Sequence, residues 1–200
     1  EMKLTEFYKT LLTLLFSCML LCASDPTQGA KYLRGSGKID FGMNSKDVIA
    51  SYPDLKPQVE KRDNLTILEF QEVPRKKRLI DKLRIFFVNS EGVFWIEEQF
   101  FLKWDLQKEN ITNLENHQRV FQKIMGQLRK KYGQENLAEP AEFDQRVVEY
   151  DFVTAVWQFE NNRWIHVIFE PQDWTVYPEI NKIIVIYRDS ELDPRKTFSY

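Results

Sequence analysis

From Leu79 to Trp104 the chain carries two runs with the two-residue period of β-strands, separated by Asn89-Ser90-Glu91-Gly92. With Ser90-Glu91 as the turn, Val88 pairs with Val93, Phe87 with Phe94, Phe86 with Trp95, Ile85 with Ile96 and Arg84 with Glu97. Alternate residues of a strand point to opposite faces, so these pairs sort into two sets. Leu83, Ile85, Phe87, Phe94 and Ile96 form an apolar core face. Phe86 and Trp95, followed by the ion pair Arg84–Glu97, form a half-wet face. A slip of one residue would bring Arg84 inward, which favours this register. Glu98 falls on the apolar face and predicts a bulge near Glu97-Glu98.

Val147 to Glu170 reads as a second hairpin, with Asn161-Asn162 as a two-residue turn because asparagine tolerates left-handed geometry. Phe159 then pairs with Trp164, Trp157 with His166 and Ala155 with Ile168. Val156–Val167 and Thr154–Phe169, continuing through Phe152, Tyr150 and Val148, make the predicted core set. The remaining aromatic residues fall on the opposite face. Phe86, Trp95, Trp157, Phe159 and Trp164 together then form an aromatic cluster ringed by charge, away from the helices. That is the composition of a protein-binding hot spot, and these five are the candidate partner-binding residues. The alternative is that Pro171 to Pro178, with Trp174 and Tyr177, folds over this face.

The helical period appears twice. Asn44 or Ser45 caps a helix through Ser51, with Val48, Ile49 and Tyr52 as its stripe and Pro53 as its stop. Thr112 and Glu115 form a capping-box pattern for a helix over Asn113 to Lys131. Its apolar face is His117, Val120, Phe121, Ile124, Leu128 and Tyr132, and Gly133 is its cap. Further strands are predicted at Ile39–Phe41, Leu65–Val73 and Ile180–Arg188. Strands that follow each helix imply an α+β fold: a mostly antiparallel sheet of six or seven strands with two helices on one face. The helix-then-strands order recurs over 38–104 and 112–188, as two αβββ repeats within one domain spanning 38–188.

The ends of the chain read differently. Lys3 and Lys9 precede the apolar run TLLTLLFSCMLLCAS, the layout of a signal peptide over residues 1–24. Residues 25–37 are a linker by composition, and 189–200 a tail. Export implies a secreted or periplasmic protein. Cys18, in a loose lipobox, offers lipid anchoring as a minority alternative. Both cysteines, Cys18 and Cys22, lie in the leader, so the mature chain has no thiol chemistry. The formal net charge of -2 points away from nucleic acid, and only seven glycines point away from a glycine-loop nucleotide site.

Candidate chemistry is sparse, and no cofactor is expected. His117 and His166 sit where packing explains them, without companion ligands for zinc. Glu149 and Asp151 share a strand face, so an envelope hydrolase using Glu149, Asp151 and His166 is the alternative to a non-enzymatic binding module. Arg75-Lys76-Lys77-Arg78 reads as a solvated loop, with peripheral contact to anionic lipid as the sharper reading.

Phe41-Gly42-Met43-Asn44-Ser45-Lys46-Asp47-Val48 resembles the segment where a strand turns into a capped helix in bacterial envelope proteins of the SmpA/OmlA type. The wider group includes the secreted β-lactamase-inhibitor proteins, built from tandem helix-plus-sheet repeats. Gly42, Met43 and Val48 keep the spacing, whereas Asn44 stands where Ser or Thr is usual. The chain also shows one helix per unit where that group carries two short ones. The resemblance implies an envelope location and a binding or scaffold role, and it brings no catalytic residues with it.

Overall fold

The computed structural model of the chain describes residues 31–75, 78–88, 91–102, 107–108, 110–138, 152–170 and 182–194. In chain order its elements are β1 (Gly35–Ser36), β2 (Ile39–Asp40), α1 (Ser45–Ala50), β3 (Gln58–Arg62), β4 (Leu65–Arg75), β5 (Arg78–Val88) and β6 (Gly92–Phe101). There follow α2 (Asn110–Tyr132), β7 (Leu137–Ala138), β8 (Phe152–Gln158), β9 (Arg163–Glu170) and β10 (Lys182–Asp189). β1 and β2 make a small ribbon; the others form an eight-stranded sheet in the order β3-β4-β5-β6-β10-β9-β8-β7. All pairings are antiparallel. The fold is therefore α+β, and each helix is followed by a meander of four strands. The two meanders join through their last strands, β6 and β10.

Each unit holds one strand more than the sequence pattern predicts. β3 is exposed along its whole length, so it has no apolar alternation to read, and β7 is only two residues long. Both helices face one side of the sheet. Val48 of α1 and Phe121, Ile124, Met125, Leu128 and Tyr132 of α2 share one buried cluster with alternate residues of β4, β5, β6, β8, β9 and β10. Asn44 caps α1 as expected, its side-chain oxygen accepting from the Asp47 N–H at 3.0 Å. α2 starts earlier than the Thr112 cap predicts. Asn113 turns inward and donates to the Lys108 carbonyl at 3.5 Å, inside a helix already under way. Gly133, at φ 84°, ends it, donating to the Arg129 carbonyl at 2.9 Å.

Residues 31–37 are not a loose linker. Leu33 lies in the core, and Ser36 is buried in the ribbon. Asn161 grips Leu33 from both sides, accepting its N–H and donating to its carbonyl at 2.9 Å, and Arg163 donates to the same carbonyl at 2.7 Å. Gly42 donates to Val93 and Val93 to Met43, tying the next stretch to the first hairpin. Gly42 needs its positive φ of 81°, and a Cβ on Gly92 would lie 2.3 Å from the Gly42 carbonyl oxygen. The N-terminal segment is thus fastened to the turns of both hairpins. The start of the predicted tail is also structured: Asp189 ends β10 and accepts from Arg163 at 2.7 Å, and buried Asp193 accepts from Arg188 at 2.8 Å.

Two register corrections decide which face each aromatic residue occupies. In the first hairpin Phe86 pairs with Trp95 and Arg84 with Glu97 as expected, but Phe87 pairs with Val93. The bulge sits at Phe94, not at Glu97-Glu98, and carries Phe94 to the face away from the helices. In the second hairpin the loop is Glu160-Asn161-Asn162, closed by the Phe159 N–H donating to the Arg163 carbonyl at 3.0 Å. Asn162 takes the left-handed position at φ 54°, as three-residue hairpin loops require. The extra loop residue shifts β8 by one, so Trp157 pairs with Ile165 and Val156 with His166. Trp157 and Phe159 consequently point into the helix-side core, opposite to the predicted face.

Candidate functional site

The helix face of the sheet contains a buried ion pair. Glu98 lies in β6 between the core residues Ile96 and Phe100, in regular pairing with Leu83 and Val185. A carboxylate there needs partners, because an unpaired buried charge costs several kcal/mol. Arg75, at the end of β4, supplies its guanidinium to Glu98 and donates to Ser36 Oγ at 2.9 Å. Ser36 in turn donates to Glu98. Burial alone would pull the Arg75 pKa down, but Glu98 and the nearby tyrosines hold it above its ordinary value. Those tyrosines are Tyr52, Tyr132 and Tyr187, and burial, reinforced by the Glu98 charge, pushes all three hydroxyls up. They remain neutral hydrogen-bonding groups at any physiological pH.

Beside this cluster a pocket of about 330 Å³ opens between the β1–β2 ribbon and the C-terminal end of α2. The ribbon side contributes Tyr32, Leu33, Arg34, Gly35, Gly37 and Asp40; the helix contributes Lys131 and Tyr132. Gly37 has no room for a side chain, since a Cβ would stand 2.7 Å from Arg75 Nη2. The pocket wall is bare backbone at that point, with the Arg75 guanidinium directly behind it. Arg34 and Asp40 pair loosely at 3.5 Å in solvent. The Lys131 ammonium lies 4.7 Å from the centre of the Tyr132 ring. Burial, with the Arg75 charge adding, lowers its pKa, while Glu98 opposes the shift.

The five aromatic residues singled out from the sequence do not form one exposed cluster. Trp157 is 2% exposed, and its indole N–H donates to the Gly133 carbonyl at 2.9 Å, beneath the end of α2. Phe159 is buried with its ring edge-on to Tyr132 at 5.7 Å. Phe86, Trp95 and Trp164 stay on the opposite face as predicted; Phe86 is buried, while Trp95 and Trp164 are half-buried. Phe86 stacks edgewise on Phe94 and Trp95 at 6.5 and 6.1 Å, within a small cluster that includes Ile67 and Val88. Across that face the ladder Glu69–Arg84–Glu97–Ile186–His166–Val156 runs from β4 to β8. Glu97, Ile186, His166 and Arg188 on that face are buried, whereas Trp95 and Trp164 keep partial exposure.

The hydrolase constellation does not come together within the described residues. Glu149 and Asp151 lie outside them, as does the 171–178 segment. His166 is buried beside Trp164, ring centres 6.1 Å apart, and burial followed by the Arg188 charge pulls its pKa down to about 4. The imidazole is therefore neutral at physiological pH. His117 is buried on the inner face of α2. The described residues contain no group of three His, Cys, Asp or Glu side chains able to hold a metal ion. Of the basic run, Arg75 is drawn toward Glu98 with 32% of its side chain still exposed; Lys76 and Lys77 lie outside the described residues.

The sheet also has an open edge. Among the described residues β3 bonds to β4 on one side only, and Gln58 to Arg62 are all exposed, Val59 at 55%. The chain matches no protein-family model, no curated protein and no solved structure.

Proposed function

We propose that this chain is a non-enzymatic module of the cell envelope, secreted or periplasmic, that binds or scaffolds another protein through the open edge of β3. The observation that carries this reading is β3 itself: a five-residue strand with one partner among the described residues, exposed throughout, and holding an exposed valine. An unpaired strand edge offers a row of backbone donors and acceptors, and an extended peptide can add to it as a further strand. Glu60, Lys61 and Arg62 set mixed charges along that edge, which disfavours indiscriminate pairing and selects a partner strand of complementary sequence. The pairing of the buried charges supports a non-enzymatic role. Glu98, Asp189 and Asp193 each hold an arginine within the fold. The leader-like residues 1–24 and the Phe41–Val48 likeness to envelope proteins support the location.

A photo-crosslinking residue at Val59 tests the reading, with one at Leu79 as control, since Leu79 is also exposed but lies on β5. In the exporting cell, the Val59 probe is expected to give a discrete adduct with a partner protein. Equal labelling from both positions, or none from Val59, would overturn it.

A further inference from the structure

We propose that the pocket between the β1–β2 ribbon and the end of α2 binds a small aromatic carboxylate, its anion on Lys131 and its ring against the exposed Tyr32. At about 330 Å³ the pocket has the size of a small-ligand site. Its lining divides into a cationic part and a flat aromatic part. Tyr32 is 56% exposed, with room for a ring to cover it, whereas Tyr132 is buried against Phe159 and lies under the Lys131 ammonium. Gly35 and Gly37 line the ribbon side together with Tyr32, Leu33, Arg34 and Asp40.

The charge balance selects an anion with a single negative charge. Asp40 is paired with Arg34, whereas Lys131 meets no carboxylate among the described residues and rests on the Tyr132 ring. Its ammonium is partly desolvated by the surrounding protein and repelled by Arg75, with the buried Glu98 charge opposing both. A carboxylate bound there offsets both by a direct charge-assisted hydrogen bond to the ammonium. The α2 terminus itself favours cations, which is why Arg129, Lys130 and Lys131 gather in its last turn. Recognition must therefore come from the ammonium and not from the helix end. One lysine also suits a carboxylate better than a phosphate dianion, which calls for several converging donors.

The test is an amide-resolved NMR titration of the mature protein with benzoate and, separately, with its neutral counterpart benzamide. Benzoate is expected to shift Gly35, Gly37 and Tyr132 saturably, with benzamide binding at least tenfold more weakly. Lys131→Gln should lower benzoate affinity at least tenfold, and Lys131→Arg should keep most of it. Lys131 is exposed, so both variants should keep the wild-type spectrum elsewhere. If benzoate shows no saturable binding, or binds no better than benzamide, the proposal fails. It also fails if Lys131→Gln binds like wild type, or if benzoate shifts residues remote from the pocket instead.

Discussion

Replacing Arg75 by methionine should destabilise the fold far more than neutralising its partner. Glu98 has 4% of its side chain exposed, while Arg75 has 32% exposed at the end of β4. Arg75→Met leaves a carboxylate inside the helix-side core with only the Ser36 hydroxyl to satisfy it. Breaking a buried pair in this way costs about 3–5 kcal/mol. Glu98→Gln leaves an amide oxygen that can still accept from Arg75 and Ser36, and the half-accessible guanidinium can rehydrate. The loss there should be about 1–2 kcal/mol, the scale of a weakened hydrogen bond. The double variant Arg75→Met/Glu98→Leu removes both charges and should recover most of the stability, since apolar replacement of a buried pair is often neutral. Urea denaturation followed by tryptophan fluorescence measures all three, read as midpoint shifts at constant slope. Because Ser36 bridges the pair, the amides of the β1–β2 ribbon should also exchange faster in Arg75→Met. The reasoning is refuted if Arg75→Met costs under about 1 kcal/mol, or if Glu98→Gln costs as much as Arg75→Met.

Acidification should weaken the protein through His166, whose pKa falls from an ordinary 6.5 to about 4 on folding. Below the unfolded value the unfolded chain takes up a proton that the folded chain refuses, so stability is intact above that pH and falls as pH drops toward the folded value, by roughly 3 kcal/mol in all. In urea titrations between those two pH values, His166→Gln should lose this slope; an unchanged slope would assign the acid sensitivity elsewhere. Gly92→Ala should cost more than about 1 kcal/mol, since it combines φ 88° with a clash against the Gly42 carbonyl. Gly126→Ala, in an open part of α2, should instead stabilise by about 0.5–1 kcal/mol; thermal denaturation of the two variants should move in opposite directions.

Elements whose local chemistry is self-contained were legible from the sequence. α1 carries its own cap in Asn44, and α2 carries an apolar stripe long enough to set its facing. The middle of the first hairpin was legible for a similar reason: the Arg84–Glu97 pair tolerates only one of the two faces. β3 carries no such signal. Its charged and polar residues match a loop as well as an edge strand, and only the backbone pairing with Leu65–Glu69 makes it a strand.

The candidate site turned on single-residue parity, where local pattern is weakest. Glu160-Asn161-Asn162 and Asn161-Asn162 are both sound hairpin loops by their residue chemistry, yet they place Trp157 on opposite sides of the sheet. Apolar residues on both faces of β8 left no charge to arbitrate, whereas Arg84 did so in β5. Glu98 shows the converse. Its inward parity was visible, and a bulge was the local remedy. The actual remedy is Arg75, 23 residues away, and Ser36, 62 residues away. An inward acid in an otherwise regular strand therefore calls for a search for its cation before an irregular backbone is invoked. Here that search leads from β6 to the end of β4, then to the ribbon, and so to the edge of the pocket.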